Sequence, residues 1–385
     1  MNSFFPSLLR MSTIDTLQNV AGTTPYLDFT VLDVFTRQRY QGNPLAVVYV
    51  PDTVSGRITK EAKQRIAREF NLSETVFVHI PNPSSISSTD PISSKSCRVD
   101  IFTVNVELPF AGHPVIGAAS MILDHLRWKI DALELKAGTF PIRHVYENDH
   151  KSSFRTTTKT DSLVQVGVVH DLHIHSRTLA DIIAGTTTMP LTGPRTAIAA
   201  ALSSDETIRQ AELHAPVVSI VQGMTALLVK LPSLAHLALV STASRLHFDE
   251  TIQDLLLDKG PWGRSFCYRY YYIDQDEEES GNYRSGGMEG KSDATVRCLR
   301  ARMVELATED PATGSAACTL GAYLAIHNRC HTSKMKFKIT QGVEMNRRSD
   351  IVVEVRTKMV DGVATIEELA LSGTAVIASK GSIYV

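Results

Sequence analysis

The stretch EDPATGSAACTLGAYLA, residues 309–325, decides how the rest of the chain is read. Two carboxylates lead into a run almost free of bulky side chains. Placing Gly314 over Gly112 sets GSAACTLGAYLA against GHPVIGAASMIL, so the run has a partner in the first half of the chain and marks an internal repeat. Each copy follows a strand through a Gly turn and continues as a helix of Ala, Gly, Ser and short apolar residues. Small side chains let backbones approach closely, so the two helices are expected side by side inside sheets that are otherwise bulky. The first N–H groups of a helix lack internal partners and carry partial positive charge, and paired helix starts therefore make an anion site. His113 in one copy, and Asp310 and Ser315 in the other, are expected to face the cleft those starts share.

Length and composition agree with a two-domain soluble protein. The chain has 385 residues, 43% hydrophobic and 21% charged, and a formal net charge of −2. Dividing by the usual domain size gives about two domains. Near-neutral charge without a basic stripe argues against nucleic acid or an anionic membrane as partner, and no run approaches the roughly 18 apolar residues that span a bilayer. A small molecule is the default ligand. Five cysteines (Cys97, Cys267, Cys298, Cys318 and Cys330) without a CxxC pair suggest reduced thiols in a cytoplasmic protein. Residues 1–25 read as a disordered extension, since a single basic residue, Arg10, is thin support for a targeting leader.

From Tyr26 the first half is strand-rich: YLDFTVLDVFT, LAVVYV, TVFVHI and RVDIFTVNVELPF. Between the second and third of these, Ile58, Ala62, Ile66 and Phe70 recur every fourth position and predict a helix packed on the sheet. Residues 81–96 and 274–293, rich in Ser, Pro, Gly and acid, read as solvated insertions. The second half repeats the style, with LVQVGVV, VVSIVQG, ALLVKLP, FCYRYYYID, TVRCLRARMV, KFKIT, DIVVEVRT and ATIEELAL as strands and few helices.

Glu74, in FNLSETVFV, stands at capping-box spacing from Asn71, but β-branched residues follow it, so it is a strand-start carboxylate, either exposed or functional. His113 precedes Pro114, which suits a first helical position, and a helix start favours the neutral imidazole. Asp310 with Pro311 could be an N-cap and first-turn pair, and Glu309, Thr313 and Ser315 are alternative caps. His173 and His175 share a strand face without a third ligand at metal spacing, which reads as a solvated pair, and no metal is expected. Cys318, a turn inside its helix, reads as a packed thiol. No GxSxG, GxGxxG or GxxxxGK(S/T) motif appears.

Taken together, DVFTRQRYQGNPLAVV (33–48), FNLSETVFV (70–78), ELPFAGHPVIGAA (107–119), EDPATGSAA (309–317) and QGVEMNRRS (341–349) resemble, in order, the PhzF-like isomerases of phenazine biosynthesis. That resemblance implies the α+β diaminopimelate epimerase-like fold: two pseudo-symmetric domains, each a curved, mostly antiparallel sheet around a central helix, with the active site in the interdomain cleft. The domains are expected at residues 26–145 and 146–370, with the strand at about 371–385 returning to the first. The chain departs from the family pattern at Val104 and across Asn346, Arg347, Arg348 and Ser349, a turn expected to be reshaped beside the substrate pocket.

The resemblance further implies a cofactor-independent isomerase that moves a proton on a small carboxylate-bearing metabolite. Glu74 would be the main proton carrier, with His113, Asp310 and Ser315 assisting and Asn43, Gly112, Thr313 and Gly314 binding substrate. Homodimers are common in the family. Two other readings stay open at this point: a lyase using the same base, and a non-catalytic binding protein of the same fold.

Overall fold

The computed structural model describes residues 26–80, 96–146, 162–184, 193–243, 246–275, 295–327 and 333–385. The first 25 residues and nearly all of the two expected insertions lie outside that set. The first half runs β1 (Tyr26–Val34), β2 (Asn43–Pro51), α1 (Lys60–Phe70), β3 (Thr75–Ile80), β4 (Ser96–Phe102), β5 (Glu107–Leu108), α2 (Gly112–Ser120), β6 (Ala132–Leu135), β7 (Gly138–Tyr146) and β8 (Ser162–Gly167). Then come β9 (His173–Ile174), α3 (Leu179–Ala184), α4 (Pro194–Ala201) and α5 (Glu206–Leu213). The second half follows as β10 (Val217–Val221), β11 (Met224–Lys230), α6 (Leu234–Leu239), α7 (Glu250–Leu256), β12 (Phe266–Asp274), β13 (Thr295–Glu305), β14 (Thr308–Asp310), α8 (Gly314–Ile326), β15 (Lys334–Gln341), β16 (Ser349–Val360) and β17 (Val363–Gly373). A last strand, β18 (Ala375–Tyr384), closes the chain.

Strand pairing repeats the same grammar twice. In the first half β2–β3 and β4–β6 are parallel, and in the second β11–β12 and β13–β15 are parallel; the other pairings are antiparallel. Ile101 on β4 opposes Leu108 on β5, and Met303 on β13 opposes Asp310 on β14, at the same chain offset that sets Gly112 over Gly314. The two halves also exchange strands. β18 pairs with β1, β9 pairs with β10, and β8 pairs with both β7 and β17, which stitches the halves into one continuous ladder.

Local chemistry explains the boundaries. Thr59 caps α1 by accepting from the Ala62 N–H at 3.2 Å, and Asn71 ends it in the left-handed region at φ 50°. Ala62 and Ile66 are buried, with Ile58 and Phe70 packed beside them as the four-residue spacing predicts. The segment RVDIFTVNVELPF is not one strand: the Thr103 hydroxyl accepts from the N–H groups of Asn105 and Val106 and turns the chain between β4 and β5. The second half is also richer in helices than its strand pattern suggested. Five short ones occupy 179–256, and Asp205, Ser233 and Asp249 each cap one by accepting a backbone N–H. Those caps were visible in the sequence, but helices of six to eight residues carry too short a periodicity to stand out.

The core is organised by α2 and α8. All nine residues of α2 are buried, against β1, β2, β3, β8 and β17, while α8 packs against β10, β15, β16 and β17. The helices meet at their starts. A Cβ built on Gly112 would lie 2.8 Å from the Gly314 Cα, and one built on Gly314 would lie 3.0 Å from the Gly112 Cα. Nothing larger than hydrogen fits on either residue without moving a backbone. Among the described residues no helix is long and apolar enough to cross a membrane.

This contact sets a stability expectation. Gly112→Ala should lower the unfolding free energy by about 1–3 kcal/mol, as overpacking does, whereas Gly56→Ala, where an added Cβ meets nothing within 4 Å, should change it little. Denaturant melts of the two variants beside the parent check this.

Candidate active site

The touching helix starts define where functional side chains gather. In α2 the N-cap is Ala111, so Gly112 and His113 are the first two helical residues and Pro114 is the third, not the first as its type suggested. Proline is tolerated there because a first-turn N–H has no helical partner to lose. In α8 the N-cap is Thr313, followed by Gly314 and Ser315. Asp310 is therefore no cap; it ends β14. Thr313 does not cap with its side chain either, because its hydroxyl is turned to donate to Asp310 Oδ2.

One polar network crosses between the halves. Asn43, at the start of β2, donates from Nδ2 to Asp310 Oδ1 at 2.8 Å and to the Ala312 carbonyl at 3.0 Å, and stands 3.4 Å from His113 Nδ1. Both amide hydrogens of Asn43 are taken by Asp310 and Ala312, so Nδ1 is a neighbour of the amide and not its acceptor. His113 Nε2 faces Glu74 Oε2 at 3.5 Å and has no hydrogen-bond partner. Glu74, just ahead of β3, is thus brought beside His113, and Asp310 beside both. The Glu74 side chain retains 17% exposure against 6% for His113, so the carboxylate is the more accessible of that pair.

Burial sets the electrostatics. Desolvation pushes Glu74 from 4.5 up to about 7, opposed by a hydrogen bond from Ser73. It pushes Asp310 from 3.8 up to about 6, with Glu74 adding to the rise and His113, Thr313 and Asn43 opposing it. Desolvation also holds His113 down at about 4, so the imidazole is neutral and the Glu74 contact is not an ion pair near pH 7. The neutral form expected from the helix start is present, but burial is its main cause. Two carboxyls and an imidazole with displaced affinities in one place are a recurrent mark of proton-transfer sites.

Several supporting residues escaped the sequence reading. Gln341, wholly buried, donates to the Asp310 carbonyl at 2.8 Å and to the Thr313 hydroxyl at 3.1 Å, and accepts from Tyr270 at 3.0 Å. It fixes the approach to α8. Arg347 donates to Asp33 at 2.7 Å and to the carbonyls of Gly42 and Gln41, tying the loop before Asn43 to the 342–349 turn. Within that turn Asn346 takes the left-handed φ of 55° that Asn tolerates. Gln341 and Arg347 lay inside a quoted motif, yet nothing in their spacing announces partners some three hundred residues away in one case.

Other candidates fall outside the cluster. His173 and His175 do share a strand face, but His175 is buried rather than solvated. Folding brings Asp258 to them: its carboxylate meets His173 Nε2 at 2.9 Å, while its N–H donates to His175 Nδ1 at 3.0 Å. His175 Nε2 is taken up by Ser219, so both its nitrogens are engaged within the protein. Cys318 is a packed thiol, pushed by burial up to about 12. The other described cysteines, Cys97, Cys267 and Cys298, are unbridged as well.

The buried carboxyl makes stability depend on pH. Glu74 holds its proton more tightly folded than unfolded, so its folding penalty is absent below about 4.5, grows as pH rises, and is complete above about 7. Glu74→Gln should therefore stabilise the protein at pH 8, by at most about 3 kcal/mol, with the gain vanishing toward pH 4.5. Melting temperatures of both proteins across that range check the sign.

Comparison with known proteins agrees with this architecture. A PhzF-family protein from Bacillus anthracis superposes with a TM-score of 0.59 at 17% identity, covering 94% of this chain and 99% of that one. A predicted epimerase from Pseudomonas aeruginosa gives 0.55 at 22% identity, covering 93% and 99%. By sequence, trans-2,3-dihydro-3-hydroxyanthranilate isomerase of Pseudomonas aeruginosa is 39% identical over 113 residues, 29% of this chain and 36% of that protein. An uncharacterised isomerase of Pasteurella multocida is 40% identical over 31% of this chain and 37% of its own length, so these matches span only about a third of each relative. An uncharacterised isomerase of Clostridium acetobutylicum is 26% identical over 91% of this chain and 96% of its own. The family model described as phenazine biosynthesis-like protein matches residues 32–238 and 300–381, and the chain belongs to that PhzC-PhzF family.

Proposed function

We propose that the protein is a cofactor-independent isomerase of a small, carboxylate-bearing metabolite, with Glu74 as its principal proton carrier. The observation that carries this reading is the position of the Glu74 carboxylate: desolvated, yet keeping 17% side-chain exposure, and 3.5 Å from His113 Nε2 near the start of α2. A group that must take and return a proton near neutral pH works best with an affinity near 7, and burial supplies that value here. The ionised carboxylate removes a proton from a carbon next to an unsaturated or carbonyl system. It then returns the proton, directly or through a neighbouring acid, to another atom of the same substrate.

His113, neutral and with Nε2 facing Glu74, is placed to steady the negative charge on Glu74 and to share in proton transfer. Asp310, raised to about 6, is the second acid of the site. Ser315 and the N–H groups after Gly112 and Gly314 would hold the substrate carboxylate or a developing oxyanion. Asn43 and Thr313 would act on substrate through Asp310, since Asn43 donates to Asp310 and the Ala312 carbonyl and the Thr313 hydroxyl donates to Asp310. The substrate class is carried from the related isomerase's name, trans-2,3-dihydro-3-hydroxyanthranilate. A homodimer, as the family resemblance implies, and a cytoplasmic location, as the cysteine usage suggests, belong to the same proposal.

Incubation with trans-2,3-dihydro-3-hydroxyanthranilate in heavy water tests the reading. The parent protein should give a product isomeric with the substrate and carrying deuterium at carbon, and Glu74→Gln should slow exchange by about 10²–10⁴-fold while remaining folded. A product lacking a fragment would mean elimination instead, and undiminished exchange in the variant would remove Glu74 from the mechanism. The parent's kcat/KM should rise with pH through about 7 as Glu74 loses its proton.

A further inference from the structure

The repeat assigns Glu74 a counterpart. Thr75 on β3 opposes Phe102, which opposes Glu107; Arg269 on β12 opposes Val304, which opposes Glu309. Glu107 and Glu309 each precede their helix glycine by the same interval. Thr75 therefore corresponds to Arg269, and Glu74 to Tyr268. His113 corresponds to Ser315 in the same way. Where one half sets a carboxylate beside an imidazole, the other sets a phenol beside a hydroxyl.

Tyr268 is 1% exposed and belongs to the core cluster that encloses α2 and α8, while its chain neighbour Cys267 faces the opposite cluster. Its hydroxyl is close enough to Ser315 and Thr319, on the first two turns of α8, for both to favour its ionised form slightly, yet no partner stands at hydrogen-bond geometry. Thr319 is committed elsewhere, donating to the Ser315 carbonyl at 2.9 Å. A buried hydroxyl left unpaired is destabilising and uncommon in native proteins, and a water, an ion or a ligand group can complete it. The unpaired His113 Nε2 is its mate at the other helix start. Burial also pushes the phenol well above its ordinary value, so it remains an O–H donor and does not act as a base.

We propose that Tyr268 is a substrate-binding residue, donating its phenol hydrogen, together with Ser315 and the start of α8, to the substrate carboxylate. This rests on the isomerase reading above and deepens it. The first half carries the proton, and the second half holds the anion. The repeat thereby fixes the substrate's direction in the cleft, with the reacting carbon toward Glu74 and the carboxylate toward Tyr268.

Calorimetric titration of 3-hydroxyanthranilate and of its carboxamide into parent and Tyr268→Phe proteins tests this. The parent should prefer the acid. The variant should bind the acid about tenfold more weakly or worse, as loss of a hydrogen bond to a charged group predicts, with the amide little changed and no fall in melting temperature. An unchanged acid-over-amide ratio overturns the proposal while leaving the isomerase reading intact. So does a uniform loss of both ligands with a lowered melting temperature, which would make the hydroxyl a structural group. A parent protein that shows no preference for the acid overturns the carboxylate site and Tyr268's role with it.

Discussion

The contact between Gly112 and Gly314 is the constraint on which the rest of the molecule depends. Two helices can start against each other only if neither bears a side chain there, and with Cβ distances of 2.8 and 3.0 Å to opposing backbone both positions are closed to everything but glycine. The small residues behind them let α2 sink wholly, and α8 for most of its length, into the surrounding sheets. With the helices fixed, their unsatisfied N–H groups converge from two directions on one volume. A single helix start would offer a weak anion site; two in opposition, with apolar packing behind, strengthen the positive field at their shared ends.

Dryness is also what tunes the acids. Neither Glu74 nor Asp310 is matched to a cation, so the affinity of each for a proton rises by desolvation rather than falling by pairing. His113, which could have been that cation, is kept neutral by the same burial. The arrangement is unfavourable for stability and useful for moving protons, a conflict common at working sites. It is held in place by groups with no part in proton transfer. Asn43 reaches from the first half to Asp310 and Ala312 in the second, Gln341 clamps the segment before α8, and Arg347 anchors the loop that carries Asn43.

Exchange of strands between the halves makes this cross-bridging rigid. Because β18 pairs with β1 and β9 with β10, neither sheet is complete without a segment from the other half. The cleft is thus bounded by elements that cannot slide apart without breaking ladder hydrogen bonds. Duplication made the frame symmetric, and substitution at paired positions, Glu74 against Tyr268 and His113 against Ser315, made the contents unlike.

Much of this was legible in the chain itself. The alignment of Gly112 with Gly314, the helix at 60–70, most strands, and the meeting of His113 and Asp310 at the helix starts follow from residue type and local spacing, because small-residue runs and apolar periodicity are local properties; the place of Glu74 beside them came from the family resemblance. The five short helices of the second half and the break between β4 and β5 were obscured, since a single Thr103 turn or a six-residue helix leaves little pattern. What only the tertiary structure decided is the network: that Asp310 is a strand end and not a cap, that Asn43 is spent on Asp310, that Gln341 and Arg347 support the site, and that Asp258 completes a cluster with His173 and His175. Those pairings join residues tens to hundreds of positions apart. Their energies come from desolvation and hydrogen-bond geometry, which exist only once the chain has closed around them.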